Sequence, residues 1–213
     1  MAIYKKEGIL VFKRKYIISD YFYEGVNYKA TSYEEIERYY KQWQETLSSQ
    51  EKKAFEHYRK KINTNNNINA KLRLGQIPED SFILSSALRR ASCPDNILVY
   101  RCLSRKENKD MSNKIVGQLF MRKDYKGTHV KDIVTGGFPI INSAGYMIIL
   151  MPKGAKAAYI NNLSNKFKNE REMLIDKGQV FMLIEKNNDI FNLPTYIVKL
   201  QIKNSIINGT KSE

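Results

Sequence analysis

Glu170-Arg171-Glu172-Met173-Leu174-Ile175 is the stretch on which the reading of this chain turns: two carboxylates, two residues apart, open an apolar run. Taken as a β-strand, the run alternates, so Glu170 and Glu172 share one face while Met173 and Ile175 point to the other. Two aligned carboxylates are the minimum equipment for chemistry at a sugar carbon.

Around this stretch the chain reads as strands. Ile97-Leu98-Val99-Tyr100, Tyr146 to Leu150, Ala158-Tyr159-Ile160, Val180 to Ile184 and Thr195 to Ile202 are short, apolar and rich in β-branched and aromatic residues. Further back the period changes. Ser32-x-x-Glu35 is a capping box followed by Ile36, Tyr40, Trp43 and Leu47 at helical spacing. A second box, Ser48-x-x-Glu51, opens a helix with Ala54, Phe55, Tyr58 and Ile62 as its stripe, broken by the Asn-rich residues from Thr64 to Asn67. Trp43 and Tyr58 are assigned to core packing. Helices are expected around Asn69 to Leu74 and from Ser81 to Ala91, and Ile9 to Phe12 with Tyr16 to Ile18 as a short hairpin. Helices first and strands later argue α+β with a largely antiparallel sheet. Residues 1–30 read as an N-terminal extension and 31–213 as one domain.

The chain has 213 residues, 42% hydrophobic and 27% charged, within the range of globular proteins. Its formal net charge of +14 suits nucleic acid, acidic protein surfaces or anionic membrane without choosing between them. Most aromatics fall on apparent core stripes, so nucleic acid is not an expected partner. With Cys93, Cys102, His57 and His129 as the only cysteines and histidines, neither a disulfide framework nor a metal centre is expected. Met1-Ala2-Ile3-Tyr4-Lys5-Lys6 lacks the apolar core of a signal peptide, so secretion would need a signal already removed or encoded upstream. No Gly-x-Gly-x-x-Gly opens a helix, which argues against dinucleotide binding in the Rossmann manner.

Five segments, in order, resemble the bacterial ADP-ribosyltransferase toxins, meaning the clostridial Rho-modifying exoenzymes and the enzymatic components of actin-modifying binary toxins. They are Trp43-x-x-x-Leu47-Ser48-x-x-Glu51-x-x-Ala54-x-x-x-Tyr58, Ile68-Asn69-Ala70-Lys71-Leu72-Arg73, Pro94 to Arg101, Met151 to Ile160, and Glu170-Arg171-Glu172, similar to that family's E-x-E motif. The resemblance implies two packed, mainly antiparallel sheets flanked by helices. It implies NAD as co-substrate, held by Arg101, Arg73 and Asn69, with no metal. Glu172 would stabilise the positive charge that develops on the ribose, and Glu170 would orient the acceptor and help remove its proton. Glu rather than Gln at position 170 implies an arginine acceptor, and Phe167 matches an aromatic used in recognising the protein substrate.

By the same resemblance the partner is a host protein, actin by family precedent, and the protein is secreted to act in the target-cell cytosol. A toxin translocation component would be a second partner, with the membrane met only in passage. One element of the pattern is missing. The family carries Ser-Thr-Ser, whose first serine orients the catalytic glutamate. Here the equivalent is either Gly127-Thr128-His129, with Thr128 the nearest hydroxyl, or Gly137 to Ser143. The absence keeps a second possibility open, a catalytically degenerate copy of the fold that serves as the adaptor of a toxin assembly.

Overall fold

The computed structural model describes residues 20–59, 67–130, 143–163, 171–188 and 193–202, and the backbone of 3–6 and 9–12. Helices and strands segregate along the chain. After an isolated hairpin, β1 (Ile3–Lys6) with β2 (Ile9–Phe12), and a second hairpin, β3 (Asp20–Tyr23) with β4 (Val26–Lys29), come α1 (Tyr33–Glu45), α2 (Ser49–Arg59), α3 (Ile68–Arg73) and α4 (Glu79–Arg90). The strand-rich part holds β5 (Ile97–Leu103), α5 (Arg105–Ser112), β6 (Leu119–Met121), β7 (Lys126–His129), β8 (Gly145–Met151), β9 (Ala157–Tyr159), β10 (Glu172–Ile175), β11 (Val180–Asn188) and β12 (Pro194–Leu200).

The helices start where their caps put them. The Ser32 hydroxyl accepts from the Glu35 amide at 3.1 Å, while the Glu35 carboxylate turns to the Thr31 hydroxyl. Ser48 and Glu51 close their box reciprocally, amide to side chain in both directions, at 2.9 and 3.2 Å. The expected α1 stripe packs inward, with Ile36, Tyr40 and Leu47 buried and Trp43 crossing Phe55 edge to face at 5.9 Å.

Ten strands lie in one hydrogen-bonded sheet, along the path β6-β11-β12-β8-β5-β7-β10-β9, with β3 and β4 attached to β5 through Lys29 and Ile97. The sheet is mainly antiparallel, and β8 with β12 is parallel. Where the resemblance implies two sheets, the two portions are contiguous at a single point: β5 meets β7 only at Tyr100 and His129. On β5, β8 and β12 alternate residues face opposite ways. Ile97, Val99, Leu103, Met147, Ile149, Tyr196 and Val198 join the main core with the helices and β10. Leu98, Tyr100, Ile148, Leu150 and Ile197 face a second core, closed by Tyr28 of the β3–β4 hairpin.

Several elements differ from expectation. The partner of Ile9–Phe12 is Ile3–Lys6, and Tyr16 to Ile18 lies outside the described residues. The β3–β4 hairpin turns on Glu24 and Gly25, both at positive φ (49° and 76°), the two-residue geometry that matches the twist of paired strands. Helix α5 was readable: Ser104-x-x-Glu107 forms a complete capping box. Strands β6 and β7 are three and four residues long and too mixed in polarity to show a period.

Within the core, the Tyr40 hydroxyl donates toward the carbonyls of Ala157 at 2.9 Å and Ser92 at 3.1 Å, tying α1 to β9 and to the α4–β5 connection. Tyr40→Phe therefore leaves buried carbonyls short of a donor, and a loss of about 1–3 kcal/mol is expected in urea unfolding, with the m-value unchanged.

Candidate active site

Residue by residue, the site is assembled on β7 and the two residues before it. Strand β10 pairs with β7 so that Glu172 stands opposite His129, Met173 opposite Thr128 and Leu174 opposite Gly127. Glu172 and Gly127 are thus diagonal neighbours on one face, while Thr128 belongs to the other. The Thr128 hydroxyl is buried and donates to the Met173 carbonyl at 3.0 Å. Of the two placements open in the sequence, the ladder beside Glu172 is formed by Gly127-Thr128-His129, and Thr128 does not serve Glu172. In the other placement, residues 137–142 lie outside the described residues, and Ser143 donates to the Gly145 carbonyl.

The Glu172 carboxylate is buried. The Tyr58 hydroxyl donates to its Oε1 at 2.9 Å, and the Arg59 Nε stands 3.5 Å from its Oε2, with the Arg59 side chain itself buried. Both come from the last turn of α2. Burial and the adjacent Glu172 carboxylate push the Tyr58 phenol well above its ordinary range, so it stays protonated and donates. Tyr58 is therefore more than the packing residue its stripe suggested. Its helical spacing carried the apolar signal, and nothing in the spacing announced the hydroxyl.

Arg101 lies on the core-facing row of β5 with Ile97, Val99 and Leu103, so its charge must be met locally. Its guanidinium donates to the Gly127 carbonyl at 2.6 Å and to Glu107 Oε1 at 2.8 Å. Glu107 also faces Lys126 Nζ at 3.3 Å, Lys126 pairs with Asp124 at 3.1 Å, and Asp124 pairs with Arg73 at 2.9 Å. The result is a row of alternating charge: Arg101, Glu107, Lys126, Asp124, Arg73. Burial pushes the Lys126 ammonium down, reinforced by Arg101, against the pull of Asp124 and Glu107. Arg73 is about half exposed at the end of the row.

Asn69 is placed differently from a free ligand. Its amide brackets the Tyr125 backbone, donating to the Tyr125 carbonyl at 3.1 Å and accepting from the Tyr125 N–H at 2.9 Å. Arg171 has a φ of 48°, so the extended alternation expected across residues 170–172 is interrupted and the strand begins at Glu172. Its amide is fixed by Asn161 Oδ1 at 2.8 Å. Glu170 and Phe167 lie outside the described residues. Sequence reading missed Glu107, Arg59 and Lys126. Only Glu107 carried a signal, its capping box.

A family model described as ADP-ribosyltransferase exoenzyme matches residues 34–199. Among solved structures, the fold is similar to that of an ADP-ribosyltransferase from Clostridium botulinum in a triclinic crystal form, with a TM-score of 0.66, 16% identity, and coverage of 81% of this chain and 98% of that one. The C3 exoenzyme of Clostridium limosum gives 0.65 at 20% identity, covering 82% and 98%. The ADP-ribosylating toxin of a binary enterotoxin of C. perfringens, solved with NADH, gives 0.64 at 19% identity, covering 86% of this chain and 54% of that one. No curated protein matches the chain by sequence.

The charge row makes a pH prediction. Burial raises the Glu107 carboxyl, but Arg101 and Lys126 outweigh it and hold it at about 2, below its ordinary 4.5. A carboxylate depressed on folding stabilises the fold fully above its unfolded pKa, and that contribution is lost as pH falls toward the folded value. The stability gap between wild type and Glu107→Gln should accordingly be widest near neutrality and narrow between about pH 4.5 and 2, followed by chemical denaturation at each pH.

Proposed function

This chain belongs to the ADP-ribosyltransferase exoenzyme family, and from that premise we propose that it is a toxin domain moving ADP-ribose from NAD to an arginine of a host protein. The observation that carries the proposal is the buried Glu172 carboxylate, held by Tyr58 and Arg59 at the mouth of β10 and separated from Arg101 only by Gly127. A carboxylate fixed where a sugar gains positive charge stabilises the departure of nicotinamide. Held in place before the bond breaks, it needs no reorganisation during the step.

The arginines fit the anionic part of NAD. Arg101 keeps a buried Nε with no hydrogen-bond partner among the described residues, so its fork has capacity for a further acceptor. Arg73 is open to solvent beyond its contact with Asp124 and can meet a second phosphate. Asn69 holds the Tyr125 backbone, and so shapes the wall from which Asp124 and Lys126 project.

Glu170 is the group proposed to orient the incoming guanidinium and take its proton. Actin, or a surface like it, is the first acceptor to test, with Phe167 as a recognition contact. The protein would be secreted and act in the cytosol of a target cell. The excess of positive charge suits docking to an acidic translocation component during entry. One observation favours the adaptor reading instead: a glycine, Gly127, stands beside Glu172 where the family's pattern supplies a serine.

NAD glycohydrolase and transfer assays separate these roles. Glu172→Gln should abolish both activities while NAD binding, measured by calorimetry, stays within about 3-fold, the signature of an interaction made only in the transition state. Glu170→Gln should spare hydrolysis of NAD and remove transfer to arginine or to a small guanidine acceptor. A folded wild type that binds NAD and turns over none of it would leave the adaptor.

A further inference from the structure

Gly127 and Tyr58 meet at one oxygen. A Cβ added to Gly127 would overlap Glu172 Oε1 and come within 3.0 Å of the Tyr58 hydroxyl. A side chain at 127 and the Tyr58–Glu172 hydrogen bond, as the carboxylate now lies, therefore exclude each other. The glycine is not explained by backbone freedom, because Gly127 is absent from the positive-φ residues and sits in a regular ladder opposite Leu174. What it provides is clearance for the carboxylate.

We propose that Tyr58 is the positioning residue for Glu172 in this chain, and that Gly127 is its obligate counterpart: the orienting hydroxyl comes from the end of α2 instead of from the neighbouring strand. The proposal rests on Glu172 being the catalytic carboxylate. Three further observations carry it. Thr128, the hydroxyl adjacent in sequence, is on the opposite face and committed to the Met173 carbonyl. The Tyr58 ring is held edge to face against Tyr125 at 6.0 Å, and Tyr125 is itself pinned by Asn69 through its backbone and bonded by its hydroxyl to Ser81 and Ser85, so the donor is braced from behind. Arg59, the next residue, faces Oε2 while Tyr58 holds Oε1, which fixes both oxygens from one turn of helix.

An orienting group supplied by a helix has a different dependence from one supplied by a strand. The position of Glu172 is tied to how α2 seats against β7 and β10, so the helix becomes part of the catalytic apparatus without touching the reacting atoms. Exchanging the donor requires two changes together, loss of the phenol and gain of a side chain at 127.

The test is NAD glycohydrolase turnover with kcat and KM resolved, in wild type, Tyr58→Phe, Gly127→Ala and the double variant Tyr58→Phe/Gly127→Ser, each checked for folding by near-UV circular dichroism. Tyr58→Phe should lower kcat about 10–100-fold, the range seen when an orienting partner is lost. KM for NAD should stay within about 2-fold, because a merely structural defect would not confine itself to kcat. Gly127→Ala should act in the same direction, by pushing Oε1 off the phenol. In the double variant the serine hydroxyl can reach a carboxylate that Tyr58 no longer holds, and kcat should recover about 10-fold over Tyr58→Phe.

A folded Tyr58→Phe with wild-type kcat overturns the proposal, as does a loss confined to KM. Losses that simply multiply in the double variant overturn the pairing with Gly127. Should Tyr58→Phe fail to fold, Gly127→Ala decides alone, and an unchanged kcat there overturns it. Absence of turnover in wild type removes the enzymatic reading and this proposal together, and it is distinguished from the other failures because it appears before any variant is compared.

Discussion

A four-residue strand, Lys126–His129, is the constraint on which the site depends. It has a neighbour on each side, β10 along its length and β5 at one point, and its residues contact each member of the charge row except Arg73, which Asp124 reaches from just upstream. The Gly127 carbonyl holds Arg101, its bare Cα makes room for Glu172, and the Thr128 hydroxyl ties the strand to Met173. Asn69 and Ser85 brace Tyr125 immediately before it. A strand so short has little ladder energy of its own, so these side-chain and backbone bonds are what locate it.

Charge placed on core-facing rows explains much of the rest. Arg101 points toward the same interior as Val99 and Leu103, and a lone guanidinium there would be costly. Glu107 meets it from the first turn of α5, Lys126 meets Glu107, and the alternation continues outward until Arg73 reaches solvent. Each charge lowers the cost of the next. The row therefore leads from a buried arginine to an exposed one, and an anion arriving at the open end meets groups whose partners are already fixed.

The sequence made the framework legible and the site only in part. Capping serines and helical spacing located α1 and α2 because those signals are local. Strands buried on both faces, such as β8 with every residue buried, stood out as unbroken apolar runs. The short polar strands did not, since Lys126-Gly127-Thr128-His129 has no period to read. Glu172 and Arg101 were recognised from their segments. Tyr58 was placed correctly in a stripe and its hydroxyl overlooked, because spacing reports which face a residue occupies and says nothing about the polar atom at its tip. Glu107 was missed although Ser104-x-x-Glu107 matched the pattern used elsewhere in the chain.

The single bridge between Tyr100 and His129 carries a mechanical meaning. Arg101 follows directly after Tyr100 on one sheet portion, and Glu172 stands opposite His129 on the other. The two principal charges of the site thus sit on either side of a seam closed by one rung of ladder. Along a continuous ladder their separation would be dictated by backbone geometry; across this seam it is dictated by what fills the gap. The width of the cleft is a property of packing, adjustable by the volume of one residue, and in this chain that residue is the smallest available.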